Sequence, residues 1–235
     1  PKAYVDIRDQ KNIEKETLEL LEKFSIPFYP KSEIEGCDGK KEVKKVSIRT
    51  KKNQITKIKT SMLCVSGGFN PDIHLFTQSK GLLKWDKDHL TFKPDRIFQK
   101  TITLGSVSGN FSYEKLLVEV EKKLSEFEGL NELEVKFEIN GPEKFQIKEL
   151  WETKHEKKSL WSKSFIDLQN DVTTKDLRQA VNEGFNRIEH LKRFTTNSMG
   201  TDQGKISSIN ALGIVSKILK KDISEVGTTT YRPPY

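Results

Sequence analysis

The sequence predicts an α/β protein in two parts, an α/β domain that contains an antiparallel meander and a small all-α domain. Three observations favour this fold class. Strand-like and helix-like segments alternate at the N-terminal end, two alternating segments flank a polar turn at residues 51–53, and apolar residues recur at helical spacing after residue 165. We place the first domain at residues 1–128, an edge strand and linker at 129–164, and the helical domain at 165–235.

Composition narrows the classes of protein to which the chain can belong. With 235 residues, of which 34% are hydrophobic, it is long enough to bury one large or two modest cores. The formal charge of +7 comes from lysines interleaved with acidic residues, which is typical of a solvated surface rather than a nucleic-acid site. No apolar run approaches the length of a membrane span. We therefore expect neither a nucleic-acid partner nor a membrane.

The two cysteines indicate a reducing compartment. Cys37 falls in a predicted turn and Cys64 in a predicted apolar strand, with the spacing of neither a metal site nor a disulfide framework. We therefore expect a cytoplasmic protein without a metal site. The chain begins on a strand-like segment without an initiator Met, so we also expect it to be part of a longer polypeptide.

The first elements read as strand, helix and strand. Residues 3–7 are predicted to form a buried parallel strand, residues 13–24 an amphipathic helix and residues 26–29 a short strand. Residues 43–50 and 54–60 alternate between apolar and polar side chains, which predicts an antiparallel hairpin.

Glycine-containing turns follow two further predicted strands. The apolar run 62–65 leads into a turn in which Gly67 and Gly68 would let the backbone approach a ligand closely. Residues 101–104 form the second predicted strand, and the loop 105–109 separates it from a helix predicted at 113–127.

This order of elements is similar to the second half of the dinucleotide-binding domain in two-dinucleotide flavoproteins. In that fold, the corresponding loop contacts the pyrophosphate through its amides and the following helix start. The Gly-x-Gly-x-x-Gly fingerprint is absent from the sequence, so a complete dinucleotide site is not encoded. Ser106 also replaces the acidic residue that is usual in flavin-binding relatives, which argues against flavin binding by this loop.

Beyond residue 128 the pattern weakens before the helical domain begins. Residues 133–139 alternate as an edge strand, and residues 148–163 resemble an inter-domain linker. Residues 173–176 have the chemistry of a capping box, and Gly184 is predicted to end the helix that follows. A short second helix and a third one from about Ile206 complete the predicted domain.

The loop between these last two helices is the candidate binding site. It contains two glycines and leads into a helix start, and its flanks carry cationic and hydroxyl side chains. This chemistry suits an anion such as a phosphate. A structural interpretation stays open, because Lys and Arg also bind the last carbonyls of a helix and Gly often caps it.

Several segments, in a fixed order, carry a resemblance to a known family. The chain resembles the alpha subunits of heterotetrameric sarcosine oxidases at residues 65–79, 83–86, 165–173, 183–185, 189–196, 200–205 and 226–235. The resemblance implies an enzyme complex that oxidatively demethylates sarcosine to glycine, transfers the one-carbon unit to tetrahydrofolate and forms hydrogen peroxide. It also implies beta, gamma and delta subunits as partners.

The resemblance further implies which cofactors this chain contacts. It implies NAD in this subunit and FMN at the interface with the beta subunit, while FAD and folate bind elsewhere in the complex. For FMN the candidate residues are Lys192, Arg193, Thr195, Thr196, Gln203, Gly204 and Lys205. For NAD they are Gly67, Gly68, Gly105, Ser106 and Val107.

The helical domain also resembles bacterioferritin-associated-ferredoxin-like domains, in which four cysteines hold a 2Fe-2S cluster. The corresponding positions here are Asp167, Gln169, Asp202 and Ser207. Because such clusters need thiolate ligands, we expect the ferredoxin-like scaffold without its Fe-S cluster.

No set of residues in the sequence has the pattern of a catalytic centre, so we expect the chain alone to be inactive. His74, between two apolar residues, is expected to be a structural hydrogen-bonding residue. Two alternatives stay open. One is a non-catalytic module that docks subunits of an amine oxidase or dehydrogenase complex. The other is an independent NAD-dependent oxidoreductase, against which the missing fingerprint argues.

Overall fold

The computed structural model describes residues 1–124, 147–153, 162–229 and 232. Contacts group them into two packing units, and the first comprises residues 1–68 together with 147–153. The second comprises the remaining described residues from Phe69 onward. The domain boundaries at 128 and 164 stay a prediction, and the predicted edge strand 133–139 lies outside the described residues.

The first unit begins with the predicted strand, helix and strand. β1 (Tyr4–Asp6) is followed by a 3₁₀ turn at Gln10–Asn12, α1 (Lys15–Lys23) and β2 (Phe28–Pro30). β1 pairs with β2 in parallel. Ile13 and Leu21 supply buried apolar side chains to this part of the chain.

Three antiparallel strands complete the first unit. β3 (Glu33–Gly39), β4 (Val43–Arg49) and β5 (Ile55–Lys59) pair in that order, which confirms the predicted hairpin of β4 and β5. Val46 and Ile48 form the core of the sheet. The sequence did not predict β3, because two glycines and two irregularities of register interrupt its alternation.

The strand predicted at residues 62–65 does not form. These residues have no paired strand, and Met62 and Val65 are 71% and 79% exposed. An apolar run becomes a strand only when a neighbouring strand satisfies its backbone groups. Cys64 therefore lies in an unpaired segment, and Cys37 lies in β3 rather than in a turn.

The second unit starts with α2 (His74–Gln78) and an antiparallel hairpin of β6 (Leu82–Asp86) and β7 (Thr91–Arg96). Trp85 and Phe92 face each other across the hairpin with ring centroids 5.0 Å apart. Residues 101–104 form no strand, contrary to the prediction. They lead into a 3₁₀ helix at Gly105–Ser108 and then α3 (Tyr113–Leu124).

The C-terminal part of the second unit is mostly helical. It contains β8 (Phe165–Asp167), β9 (Val172–Thr173), α4 (Thr174–Asn182), α5 (Ile188–Thr195), α6 (Ser207–Leu219) and α7 (Ile223–Val226). Because β8 and β9 form a small antiparallel pair, the prediction of an all-α domain was wrong in this detail. The mixed α/β class of the whole chain is confirmed.

Local sequence explains how α4 begins and ends. The Thr173 backbone N–H donates to Asp176 Oδ2 at 2.8 Å, which confirms the predicted capping box. Gly184 adopts a φ of +94° after the helix, as a terminating glycine does. Leu177, Leu191 and Val215 are fully buried and hold α4, α5 and α6 together.

None of the described helices has the length and apolar character needed to cross a membrane.

Candidate functional site

A buried carboxylate organises the loop that precedes α6. Asp167, at the end of β8, is 3% exposed, and its Oδ2 accepts a hydrogen bond of 2.7 Å from the Ser198 N–H. Its Oδ1 accepts from the backbone N–H groups of Gln169 and Asn170 at 2.9 and 3.1 Å. Three backbone donors therefore satisfy this carboxylate and fix two loops against each other.

Hydroxyl groups extend this network to α6. The Ser198 hydroxyl lies 2.8 Å from Ser207 Oγ and accepts hydrogen bonds from Ser208 Oγ and Asn197 Nδ2 at 3.0 and 2.8 Å. All four residues are buried. The start of α6 is thus tied to β8 through side chains that the loop itself supplies.

Gln169 holds the other side of the loop through hydrogen bonds. Its Oε1 accepts from Thr201 Oγ1 at 2.9 Å and from the Asp202 N–H at 3.3 Å. Asp202 in turn accepts from the N–H groups of Gly204 and Ile206. These bonds and those of Asp167 form one connected network.

The network contains all four positions that the sequence aligned with cluster cysteines. They are Asp167, Gln169, Asp202 and Ser207. Among the described residues, no group of three or more His, Cys, Asp or Glu side chains is arranged to hold a metal ion. The ferredoxin-like origin of the scaffold stays a prediction.

Two of the cations predicted to bind FMN, Lys192 and Arg193, differ in their burial and in their bonding partners. Lys192 is half-buried and has no hydrogen-bond or ion-pair partner among the described residues. Burial lowers the pKa of its ammonium group, the charges of Arg232 and Arg193 act in the same direction, and Glu189 opposes them. Arg193 is exposed and its Nη1 donates to Glu189 Oε2 at 2.7 Å.

The remaining loop residues predicted to bind FMN make bonds within the chain. Thr195 Oγ1 donates to the Leu191 carbonyl, and Thr196 ends α5 in a left-handed conformation. Gln203 Nε2 donates to the Gly200 carbonyl at 2.9 Å, and the Gly204 N–H donates to Asp202. These groups close the loop, which is the structural role that the sequence left open.

The residues predicted to bind NAD lie in different units. Gly67 and Gly68 are exposed in the first unit, whereas Gly105, Ser106 and Val107 belong to the 3₁₀ helix of the second.

A carboxylate of α3 already binds the loop amide of Gly105. Its N–H donates to Glu119 Oε2 at 3.1 Å, and Asn110 Nδ2 donates to the same oxygen at 3.3 Å. A phosphate at this amide would have to replace Glu119 or lie beside its negative charge. Sequence reasoning missed this residue, which looks like an ordinary polar position of an amphipathic helix.

The third predicted cation, Lys205, is paired with a distant residue. Its Nζ lies 2.8 Å from Asp72 Oδ2, and the other oxygen of Asp72 lies 2.8 Å from His74 Nδ1. His74 is 5% exposed, so the prediction of a structural hydrogen-bonding histidine is confirmed. The hydrogen bond from Lys205, and then that from His74, lowers the pKa of Asp72.

This Lys–Asp–His arrangement was not visible in the sequence. Asp72 and Lys205 are 133 positions apart, and neither belongs to a local motif with the other. Only the short Asp-x-His spacing of Asp72 and His74 offered a sign of the contact.

The comparisons with known proteins agree with the resemblance that the motifs carry. Residues 161–235 match the family described as the sarcosine oxidase A3 domain. Over 186 residues the chain is 30% identical to sarcosine oxidase subunit alpha of Corynebacterium sp. (strain P-1), covering 76% of this chain and 19% of that protein. Over 185 residues it is 34% identical to the Rhizobium meliloti (strain 1021) subunit, covering 76% and 18%.

The chain therefore spans about a fifth of the length of the curated relatives that it matches. The crystal structure of L-proline dehydrogenase from P. horikoshii has the same fold, with a TM-score of 0.59 and 23% identity. That match covers 100% of this chain and 48% of the other. The chain is thus related to sarcosine oxidase alpha subunits, and its residues 161–235 are similar to the sarcosine oxidase A3 domain.

Proposed function

We propose that this chain is part of the alpha subunit of a sarcosine oxidase-like, flavin-dependent oxidoreductase. The complex would demethylate sarcosine to glycine, pass the one-carbon unit to tetrahydrofolate and form hydrogen peroxide in the cytoplasm. The sequence relationship to sarcosine oxidase alpha subunits supports this proposal. In it, beta, gamma and delta subunits are the partners, FAD and folate bind elsewhere, and this chain supplies binding rather than catalytic residues.

The loop between α5 and α6 is the proposed alpha side of an FMN site. One observation carries this assignment: the half-buried ammonium of Lys192, in the last turn of α5, has no hydrogen-bond or ion-pair partner among the described residues, although burial penalises its charge. A phosphate beside it would supply a negative charge in direct contact. Arg193 and Arg232, whose charges act on Lys192, would add to the attraction.

The residues present fit a phosphate-bearing flavin in the chemistry of their donors. Lys192 and Arg193 supply cations, while Thr195, Thr196, Gln203 and Gly204 shape the loop through their bonds within the chain. Lys205 is engaged with Asp72 and Arg193 with Glu189, so we assign the phosphate first to Lys192, with Arg193 next to it on α5 as the second cation. FMN, when bound, would supply electron transfer.

The buried network beneath the loop would make this site rigid. Asp167 and Ser198 hold the loop backbone by a short buried hydrogen bond, which limits the entropy lost when a ligand binds. We propose that this network takes the place that cluster ligands occupy in a ferredoxin-like domain.

We keep NAD binding in the proposal, although it has less support than FMN binding. Its candidate residues are Gly67, Gly68, Gly105, Ser106 and Val107. The Glu119 carboxylate at the Gly105 amide does not suit a pyrophosphate at that group. We therefore assign no step to NAD on this chain.

Measuring FMN in the assembled complex tests the main assignment. We expect the double variant Lys192→Ala/Arg193→Ala to retain at most about a tenth of the FMN, because two charge-assisted contacts are lost. FAD content should not change. Lys175→Ala, which removes an exposed lysine on α4, is the matched control. Unchanged FMN content in the double variant would refute the assignment.

A docking module without a cofactor is the second candidate. Leu168, Met199 and Ile206, next to residues of the buried network, are 74%, 50% and 64% exposed, which suits a surface covered by another protein. In that case, Leu168→Asp would prevent assembly, while the double variant above would assemble and keep its FMN.

A further inference from the structure

A cavity of about 210 Å³ lies within the second unit, beside the Lys205–Asp72 pair. The segment before α2, the start of β7 and the beginning of α6 form its walls. Ile73 and Phe92, both 4% exposed, line it together with Pro71 and Ile209. These side chains give the interior apolar surfaces that can cover the faces of a flat ligand.

The charged groups at this cavity offset one another. Asp72 and Lys205 have side chains that are 59% and 38% exposed and lie 2.8 Å apart. Since the two opposite charges cancel, they do not attract a free anion or a free cation strongly. An uncharged ligand with polar edges is therefore better matched to this cavity than an ion.

Asn70 and Thr91 give the cavity hydrogen-bonding groups of both kinds. Thr91 is 2% exposed, and its Oγ1 donates to Asn70 Oδ1 at 3.2 Å. This bond orients the Asn70 amide, and its Nδ2 has no partner among the described residues. Asn70 can thus donate, while the Thr91 oxygen and Asp72 can accept.

Size limits what the cavity can hold. Sites for drug-sized ligands have volumes of roughly 300–1,000 Å³, so this cavity suits one ring system rather than a whole dinucleotide. A flat ring with a neighbouring donor and acceptor on its edge matches both the apolar walls and the polar groups.

We propose that this cavity binds an uncharged heteroaromatic ring of the nucleobase class, contacted at its edge by Asn70 and Asp72. The ring could belong to a free nucleoside or form one end of a larger nucleotide. Gly204 and Lys205 of the loop between α5 and α6 line this cavity, but the proposed contacts use neither Lys192 nor Arg193, to which the FMN phosphate is assigned.

Titration of the full chain with adenosine tests the proposal, with binding followed by saturation-transfer NMR and calorimetry. We expect adenosine to bind in the millimolar range or tighter, and inorganic phosphate not to compete with it. Asn70→Ala should weaken binding about tenfold, since one hydrogen bond to the ring is lost. Asn182→Ala, at an exposed position of α4 that does not line the cavity, should leave it unchanged.

A second variant tests whether adenosine binds in this cavity, and a second ligand tests whether the ring belongs to a dinucleotide. Ile209→Trp should fill the cavity and abolish adenosine binding. If NAD binds more tightly than adenosine and loses affinity in Asn70→Ala, the ring belongs to a dinucleotide. Equal binding of the two would indicate a nucleoside site.

The proposal is overturned if adenosine does not bind at millimolar concentration or binds equally well to both cavity variants. Displacement of adenosine by phosphate would also overturn it. The outcome is independent of FMN, because Lys192→Ala is expected to leave adenosine binding intact.

Discussion

Two loops of the second unit have the same general design but different electrostatics. Gly105–Ser108 and the segment between α5 and α6 each precede a helix, and in each a carboxylate from another element binds a backbone N–H. At Gly105 the carboxylate of Glu119 is the neighbouring charge. Next to the second loop, Asp167 of β8 is buried, and the half-buried cation Lys192 of α5 has no hydrogen-bond or ion-pair partner among the described residues.

The comparison shows that backbone amides before a helix do not define an anion site by themselves. A carboxylate at one of these amides already supplies the negative charge that a phosphate would bring. Where a cation has no hydrogen-bond or ion-pair partner, a ligand can supply the negative charge. The nearby side chains, rather than the loop backbone, therefore distinguish the two loops.

Removing the buried carboxylate should have the largest effect. Asp167→Ala leaves three backbone N–H groups without their acceptor, so we expect the free energy of unfolding to fall by about 3 kcal/mol. Urea unfolding of the full chain measures this change. The neighbour Asp171 is exposed and has a left-handed backbone that Asn also tolerates, so Asp171→Asn is the control, with an expected change under about 0.5 kcal/mol. Equal stability of the two variants would show that the network does not hold the loop.

The Asp72–Lys205 pair should contribute less. Its side chains are largely exposed, so Asp72→Asn should cost under about 1 kcal/mol at pH 7. Because the pKa of Asp72 is lowered in the folded state, the contribution is present above the unfolded-state pKa of about 3.9. It is lost as the pH falls through the folded-state pKa.

Stability curves of both proteins at neutral and acidic pH would check this sign. The difference between wild type and Asp72→Asn should disappear at acidic pH. A difference that grew on acidification would mean that Asp72 is not stabilised in its charged form.

The smallest effect is expected at Glu119. If the Gly105 amide contributes to an NAD site, Glu119→Gln removes a repulsive charge and should raise NAD affinity about threefold. Calorimetric titration of the full chain measures this change. Glu121→Gln, on the same helix, is the control. No change in affinity would remove the Gly105 loop from the NAD proposal.

Sequence patterns predicted those helices and strands that are determined by residues close together in the sequence. The capping box at Thr173 and the helical spacing of apolar residues after residue 165 predicted α4 and α5 correctly. The run at 62–65 failed because apolar character cannot show whether a partner strand exists. β7 was missed because it contains Pro94, a residue that disfavours strands.

The same distinction holds for the candidate site, where contacts within short motifs could be predicted and contacts between distant residues could not. The four positions of the buried network could be aligned from sequence, because they fall in two short motifs. The contact of Lys205 with Asp72 joins residues 133 positions apart, so no local pattern contains it. The role of Lys205 therefore changed once the fold was known, from a phosphate ligand to the partner of a carboxylate.

The FMN content of the assembled complex, compared between Lys192→Ala and Lys205→Ala, tests the central claim most directly. Lys192 lies in the last turn of α5 before the loop and Lys205 lies in the loop itself, but only Lys192 has no hydrogen-bond or ion-pair partner among the described residues. We predict that Lys192→Ala loses most of its FMN and Lys205→Ala retains most of it. The opposite result, or equal retention in both variants, would contradict the account.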